Sequence, residues 1–237
     1  MADLIKPKTV LENAANKMQN VPKQKNAYTM GTTGRLLRDF VMVQHDLNPD
    51  LVQDKMINKL AVAEMGIAQT QDKISTDKYG ISDILHRIED NVASLGTKKD
   101  TSSFYQQFTQ QLPSQRDGVQ NIANEKNRLK DVSAEFRAFI YQKIHEAIVK
   151  AKEALASGKS RDSVKSEFSQ ELNSVLNSIE VKKKEKALNA DVGKLDLNET
   201  SLSQSLARLE QETRTIAAAA GIKVTAPAPG PHAGGKV

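Results

Sequence analysis

The sequence contains no cysteine and no tryptophan among its 237 residues, and aromatic residues make up only 4% of it. The lack of cysteine excludes disulfide bonds, thiolate-bound metals and thiol nucleophiles. The low aromatic content favours helices with thin aliphatic seams over a thick globular core or a β-sandwich. We therefore expect an all-α protein.

Long apolar runs are also missing. None approaches the roughly 18 residues that a transmembrane helix needs, and the first ten residues lack the apolar core of a secretory signal peptide. We expect no transmembrane segment and a protein that is soluble and made without a cleaved signal. Cytoplasmic, virion-associated and signal-independently exported locations all fit this pattern.

The net charge of +5 is unevenly placed. Residues 1–38 hold seven basic and two acidic side chains, whereas the rest of the chain is balanced. A basic terminal segment on a neutral body is typical of arms that bind nucleic acid or an acidic partner, although the charges could serve solubility alone. The predicted contacts to phosphates or an acidic partner are Lys6, Lys8, Lys17, Lys23, Lys25, Arg35 and Arg38.

The strongest periodic signal is a run of aliphatic residues spaced by seven, from Leu60 to Leu95. Such a heptad turns one stripe of a helix toward a partner. The companion stripe is apolar only at its ends, which favours a bundle helix over an autonomous dimeric zipper. The predicted helix-packing seam comprises Leu60, Ile67, Ile74, Ile81, Leu85, Ile88, Val92, Leu95, Ile122, Leu129, Phe136, Ile140 and Ile144.

Helix boundaries follow from prolines, glycines and capping residues. Asn48-Pro49 predicts the start of the heptad helix, and Gly80 leaves open whether that helix is continuous. Pro113 predicts an interruption, with Ser114 capping the longest helix, which Gly158 ends.

Two more helices are predicted after Gly158. The first covers 161–188 and is separated by a break at 189–197 from a final helix that Asn198 caps and Gly221 ends. The whole pattern predicts an elongated antiparallel helical bundle with coiled-coil-like long helices. Its predicted parts are a basic N-terminal arm with short helices at 1–47, the bundle at 48–221 and a disordered Pro/Gly/Ala tail at 222–237.

Few residues are arranged for chemistry. Asp83 and His86 have the spacing of a carboxylate–histidine pair in di-iron bundles, but the motif occurs once and such sites need it twice. A surface histidine is the favoured interpretation. The glycine-rich segment 31–35 and the lysines of 182–186 could contact phosphates, but a flexible connection and a solvated helix end explain them more simply. We expect no catalytic residue, metal or cofactor.

These observations predict a non-enzymatic structural subunit of a virion, a filament or a secreted appendage. Its partners would be further copies of itself or other subunits, bound through helix–helix packing. One alternative is a nucleic-acid-associated protein that uses the basic arm. Another is a helical adaptor that binds acidic membrane surfaces.

Overall fold

The computed structural model describes residue 38 and residues 41–224, and the regular structure of this part is helical throughout, without a β-strand. The all-α prediction is therefore confirmed for the described residues. Two short 3₁₀ turns, at Pro49–Leu51 and Lys99–Thr101, accompany the longer elements. The α-helices are α1 (Asp54–Ser75), α2 (Ile81–Leu95), α3 (Ser102–Ala156), α4 (Arg161–Asn177) and α5 (Ile179–Ala219).

Two helices are long, as predicted, but the second long helix is α5 and not the heptad helix. Helix α3 has 55 residues and α5 has 41. The heptad helix is instead divided, because Gly80 adopts a left-handed conformation with φ of +58° between α1 and α2. Its amide donates a hydrogen bond to Asp77 Oδ1 at 2.9 Å, which fixes the turn.

The start of the heptad helix differs from the prediction. Asn48 caps only the 3₁₀ turn that follows it, where its side-chain oxygen accepts a hydrogen bond from the Asp50 amide at 3.0 Å. Val52 is then extended and 2% exposed, and α1 begins at Asp54. Burial of this apolar side chain explains why the chain leaves the helical path before α1.

The predicted interruption at Pro113 is wrong, because α3 continues through it. Proline removes one backbone hydrogen bond, which leaves the carbonyl four residues earlier unpaired. Pro113 and Thr109 are both exposed, so water can hydrate that carbonyl. Phe108 and Leu112, on the neighbouring face of the helix, are 2% and 6% exposed, and their burial favours the continued helix.

The predicted break at 189–197 is also wrong, and the true break lies earlier. Ser178 separates α4 from α5, and its hydroxyl accepts a hydrogen bond from the Val181 amide at 3.2 Å. Helix α5 then runs without interruption to Ala219. Leu188 and Leu195, seven residues apart, are each 4% exposed, and their burial outweighs the poor helix propensity of the glycine between them.

The predicted helix ends at glycine are confirmed. Helix α3 ends two residues before Gly158, which has a φ of +87°. Helix α5 ends two residues before Gly221, which has a φ of +66°. The Ile222 amide bonds back to the Ala217 carbonyl at 2.9 Å, and this satisfies one of the free carbonyls at the end of the helix.

The described residues divide into two compact units. The first contains residues 41–72 and Val132–Leu188, and the second contains Lys73–Asp131 and residues 189–224. Helices α1, α3 and α5 each contribute to both. The predicted division into arm, bundle and tail stays a prediction, because most of 1–47 and of 222–237 lies outside the described residues.

In the second unit, α2 and α5 run parallel. Lys78 bonds Asp196 at 3.2 Å near the start of this contact, and Arg87 bonds Glu210 at 2.7 Å further along, so both sequences advance together. The predicted antiparallel order therefore does not apply to this pair of helices.

Helix α3 runs antiparallel to both of these helices within the second unit. Toward α2, Arg116 bonds Glu89 at 2.5 Å, whereas Lys126 further along α3 reaches back to the Thr76 carbonyl at 3.1 Å. Toward α5, Lys126 bonds Glu199 at 2.7 Å, and Arg128 further along α3 bonds the earlier residue Asp191 at 3.3 Å.

In the first unit, the 3₁₀ turn at Pro49–Leu51 and helix α1 run parallel to α4. Asp50 pairs with Arg161 at 3.7 Å, and Lys59 bonds Asn173 at 2.6 Å. Helices α3 and α4 are antiparallel because a short turn around Gly158 joins them. Each unit thus mixes parallel and antiparallel helix pairs.

Candidate functional site

The structure buries all thirteen residues of the predicted seam. Their exposed fractions run from 0% at Ile74, Ile88 and Leu95 to 8% at Phe136. The heptad from Leu60 to Leu95 is therefore occupied by contacts within this chain. A surface for another molecule has to be sought on the other faces of the helices.

The seam residues are shared between the two units. The members in the first unit are Leu60, Ile67, Phe136, Ile140 and Ile144. The members in the second unit are Ile74, Ile81, Leu85, Ile88, Val92, Leu95, Ile122 and Leu129. Each unit thus has its own aliphatic core. The boundary between the units, after Asp72, is not visible in the heptad, because the heptad continues across it without interruption.

Polar pairs fix the register of the two parallel helices in the second unit. Arg87 donates to both carboxylate oxygens of Glu210, at 2.7 and 3.4 Å. One turn further, Asn91 Nδ2 contacts Thr213 Oγ1 at 3.5 Å, and both residues are buried. A two-pronged arginine–carboxylate contact has a defined geometry, so it disfavours a slip of one helix along the other.

A buried ion pair joins α3 to α5 in the same unit. Lys126 Nζ lies 2.7 Å from Glu199 Oε1, and the two side chains are 13% and 5% exposed. Sequence analysis did not identify this contact, because Lys126 and Glu199 stand 73 residues apart and no local pattern indicates such a pairing. The spacing of seven from Leu188 through Leu195 to Leu202 was the available signal for a continuous helix.

The first unit contains a polar cluster beside its core. Arg137 pairs with the buried carboxylate of Glu64 and donates from Nε to the hydroxyl of Tyr141 at 3.0 Å. That hydroxyl in turn donates to Gln44 Oε1 at 3.0 Å. Burial raises the pKa of Tyr141, so the phenol stays protonated and continues to donate this hydrogen bond.

His45 belongs to this cluster and is 7% exposed. Its ring packs edge-on against Tyr141, with 4.0 Å between ring centres. Burial, followed by the charge of Arg137 and the nearby His145, lowers the pKa of His45 to about 4. The imidazole is therefore neutral at physiological pH. His45 and Glu64 also line a cavity of about 10 Å³, comparable to one water molecule.

The predicted phosphate contacts fall almost entirely beyond the described residues. Lys6, Lys8, Lys17, Lys23, Lys25 and Arg35 lie outside them, as does the glycine-rich segment 31–35. Arg38 alone is described, as a helical, half-buried residue. Contact of this arm with nucleic acid or an acidic partner stays a prediction.

The lysines near the start of α5 are exposed. Lys182, Lys183 and Lys186 project from the helix, and Lys184 Nζ lies 5.0 Å from the ring centre of Phe139. This distance is within cation–π range, so Lys184 has a partner inside the first unit.

Asp83 and His86 are both exposed on α2. In the part of the chain covered by 41–224, no three histidine or acidic side chains come close enough together to hold a metal ion.

Two patches present large aliphatic side chains to solvent beside an open glycine. Leu197 on α5 is 70% exposed and stands one turn from Gly193, and Val62 on α1 is 51% exposed and stands one turn from Gly66. A Cβ added to either glycine would meet no described residue within 4 Å, so neither glycine makes room for a contact within residues 41–224. We call these pairs the α5 patch and the α1 patch.

No protein-family model, curated protein or solved structure matches this chain. Evidence about function therefore comes from the surfaces and cores described above.

None of the helices in the described part of the chain combines the length and the apolar character required to cross a membrane.

Proposed function

We propose that this protein is a non-enzymatic structural subunit that assembles with further copies of itself through helix–helix packing. A virion, a filament or a secreted appendage is the kind of assembly that such a subunit would build. The finer features predicted from the sequence, an elongated bundle with coiled-coil-like packing, belong to this proposal.

The observation that carries the proposal is the α5 patch. A glycine inside a helix costs about 1 kcal/mol relative to alanine. An exposed leucine also leaves apolar surface in water, which a partner would cover. Gly193 and Leu197 combine both costs on an outward surface of α5, and a helix packed against them would offset both.

The α1 patch supports the same interpretation independently. Val62 and Gly66 repeat the combination of a projecting aliphatic side chain and an open notch one turn away. Projections on one helix pack into notches on another in ordinary helix–helix contacts. Leu197 of one copy would enter the notch at Gly66 of the next, and Val62 would enter the notch at Gly193.

Size-exclusion chromatography with light scattering, followed by negative-stain imaging, tests the proposal. The wild-type chain should form species larger than 26.1 kDa in a concentration-dependent manner. Leu197→Lys should shift the equilibrium to the monomer, because the ammonium group would have to be desolvated in the contact.

The matched control is Asn198→Lys. It adds the same charge one residue along α5, at another exposed position. This control should associate as the wild type does. A wild-type chain that stays monomeric at every concentration overturns the proposal, and so does equal disruption by the two variants.

Nucleic-acid association is a second candidate function, favoured by the net charge of +5 in residues 1–38. Binding that neutralises phosphates on duplex DNA should weaken with salt, with a slope of about −0.9 per phosphate on logarithmic axes. A chain shortened to start at residue 39 should lose this binding. Absence of any retardation of duplex DNA at low salt would exclude it.

The other alternative, binding to acidic membrane surfaces, is tested by flotation with vesicles that contain anionic lipid. A membrane-binding chain would float with these vesicles.

A further inference from the structure

A polar groove of about 320 Å³ lies in the first unit between the beginning of α1 and helix α4. Its volume falls within the range of small-molecule sites. Among the described residues that line it, Met56 is the only apolar one. The remaining lining residues are Gln53, Lys55, Lys59, Ser166, Ser169, Gln170 and Asn173.

The charged side chains that line the groove, Lys55 and Lys59, are both positive. Lys55 and Lys59 stand four residues apart on α1, where side chains are neighbours and like charges repel. No carboxylate of residues 41–224 lines the groove, and the Lys59 ammonium donates to the neutral amide oxygen of Asn173 at 2.6 Å. An anion placed between the two lysines would relieve their repulsion.

Two further features add hydrogen-bond donors. Ser169 is 7% exposed and, within residues 41–224, its hydroxyl has no hydrogen-bond partner. Helix α1 begins at Asp54, beside the groove. The amides of Asp54 and Lys55 have no acceptor within the helix, whereas the Met56 amide bonds the Gln53 carbonyl at 2.8 Å. An oxyanion in the groove would supply acceptors for these donors.

We infer that this groove binds a small organic oxyanion with at least two negative charges. Phosphate esters and polycarboxylates share this chemistry. Lys55 and Lys59 bind the charge, the amides of Gln53, Gln170 and Asn173 orient the ligand, and Ser169 donates to it. This site is distinct from the two aliphatic patches proposed for assembly, so its occupancy can be tested in a variant that does not associate.

Isothermal titration calorimetry of the full chain at low ionic strength, with glycerol phosphate and with citrate, tests the site. Saturable binding of one molecule per chain is expected for at least one of the two. The tighter of the two identifies the ligand class. Lys59→Gln should weaken binding about tenfold, because charge-assisted hydrogen bonds are the strong ones. Ser169→Ala should weaken it about threefold.

The control variant is Lys150→Gln. Lys150 belongs to the same unit and pairs with Glu171 at 2.7 Å, but it does not line the groove. Its loss removes the same charge and should change affinity less than twofold. Thermal melts show whether each variant is folded. Failure of both probes to bind overturns the inference, as does equal weakening by Lys150→Gln and Lys59→Gln.

Discussion

The imidazole of His45 is held neutral inside the first unit, and this makes the stability of the protein sensitive to mild acid. The unfolded chain protonates this histidine near pH 6.5, whereas burial lowers its pKa in the folded chain to about 4. The unfolded state therefore binds more protons between these two values, so stability falls as the pH drops through this window.

We predict a loss of about 3 kcal/mol in the free energy of unfolding between pH 6.5 and pH 4, measured by urea denaturation. Replacing His45 with phenylalanine should remove most of this slope. The hydrogen bond from Lys152 holds the pKa of Asp46 below its usual value of 3.8, so this carboxylate contributes only below the histidine window.

The control for this titration is His86→Gln, which changes an exposed histidine of the second unit. It should leave the slope between pH 6.5 and pH 4 in place. A profile in which His45→Phe and the wild type lose stability in parallel would show that the imidazole is not the group responsible.

The buried pair of Glu64 and Arg137 gives a second prediction at this scale. Removing one partner leaves a charge without compensation, whereas removing both need not. Arg137→Leu should therefore destabilise the chain by about 3 kcal/mol, because the Glu64 side chain is only 4% exposed.

The double variant Glu64→Leu with Arg137→Leu should recover most of that loss in urea denaturation. A double variant less stable than Arg137→Leu alone would contradict this account of the pair.

Aliphatic residues and polar residues differed in how far the sequence revealed their positions. The spacing of Leu60, Ile67 and their successors indicated buried positions, because periodicity is a local property of the chain. The partner of Glu64 stands 73 residues away at Arg137, and no local pattern indicates such a pairing. Glu64 is one of the polar residues that leave the companion stripe of the heptad apolar only at its ends.

At the scale of helices, Pro113 tests whether burial overrides local propensity. Because α3 is continuous through Pro113, Pro113→Ala should restore one backbone hydrogen bond and remove a steric clash at an exposed position. The substitution also increases the freedom of the unfolded chain, which offsets part of the gain. We expect a net stabilisation of about 1–2 kcal/mol, measured by urea denaturation.

Destabilisation by Pro113→Ala would indicate that the chain uses the proline as a helix end. The matched control is Ser114→Ala, at the adjacent exposed position that the sequence predicted as an N-cap. Inside a continuous helix this change should alter stability by less than about 0.5 kcal/mol.

A substitution at Gly193 should affect the stability of α5 and its role in assembly in opposite directions. Gly193→Ala should stabilise the monomer by up to about 1 kcal/mol, because the added Cβ meets no neighbour in the part of the chain that the structure describes. The same methyl group should weaken association by filling the notch of the α5 patch. Thermal melts and light scattering measure the two effects separately.

Gly158→Ala is the comparison for backbone strain, since that glycine has a φ of +87°. It should destabilise the chain without a change in association. If Gly193→Ala left association untouched, the α5 patch would have no role in packing between copies.

Helix ends were predicted well only where the deciding signal was local. Gly158 and Gly221 lie just past the ends of α3 and α5 with positive φ, a geometry that glycine adopts readily. The predicted interruptions at Pro113 and at 189–197 were wrong. Burial of apolar side chains on one face of each helix outweighed the low helix propensity of the proline and of Gly193. Such burial depends on neighbours that are distant in sequence.

At the scale of the whole molecule, the all-α class followed from composition and periodicity, but the two compact units did not. The heptad crosses the boundary after Asp72 without interruption, because each unit continues the same aliphatic stripe. The parallel order of α2 and α5 was not visible either, since helix direction is set by connections and not by spacing. The outward patches at Val62 and Leu197 stayed unnoticed because exposure of one aliphatic residue has no periodic signature.

The central claim is that the aliphatic seams serve the chain's own cores while the α5 patch joins one copy to another. Sedimentation equilibrium of the wild type and of Leu197→Lys, over a hundredfold range of concentration, tests it most directly. The account predicts a wild-type mass that rises with concentration above 26.1 kDa, and a variant that stays folded and monomeric. A wild-type mass of one chain at every concentration would contradict it.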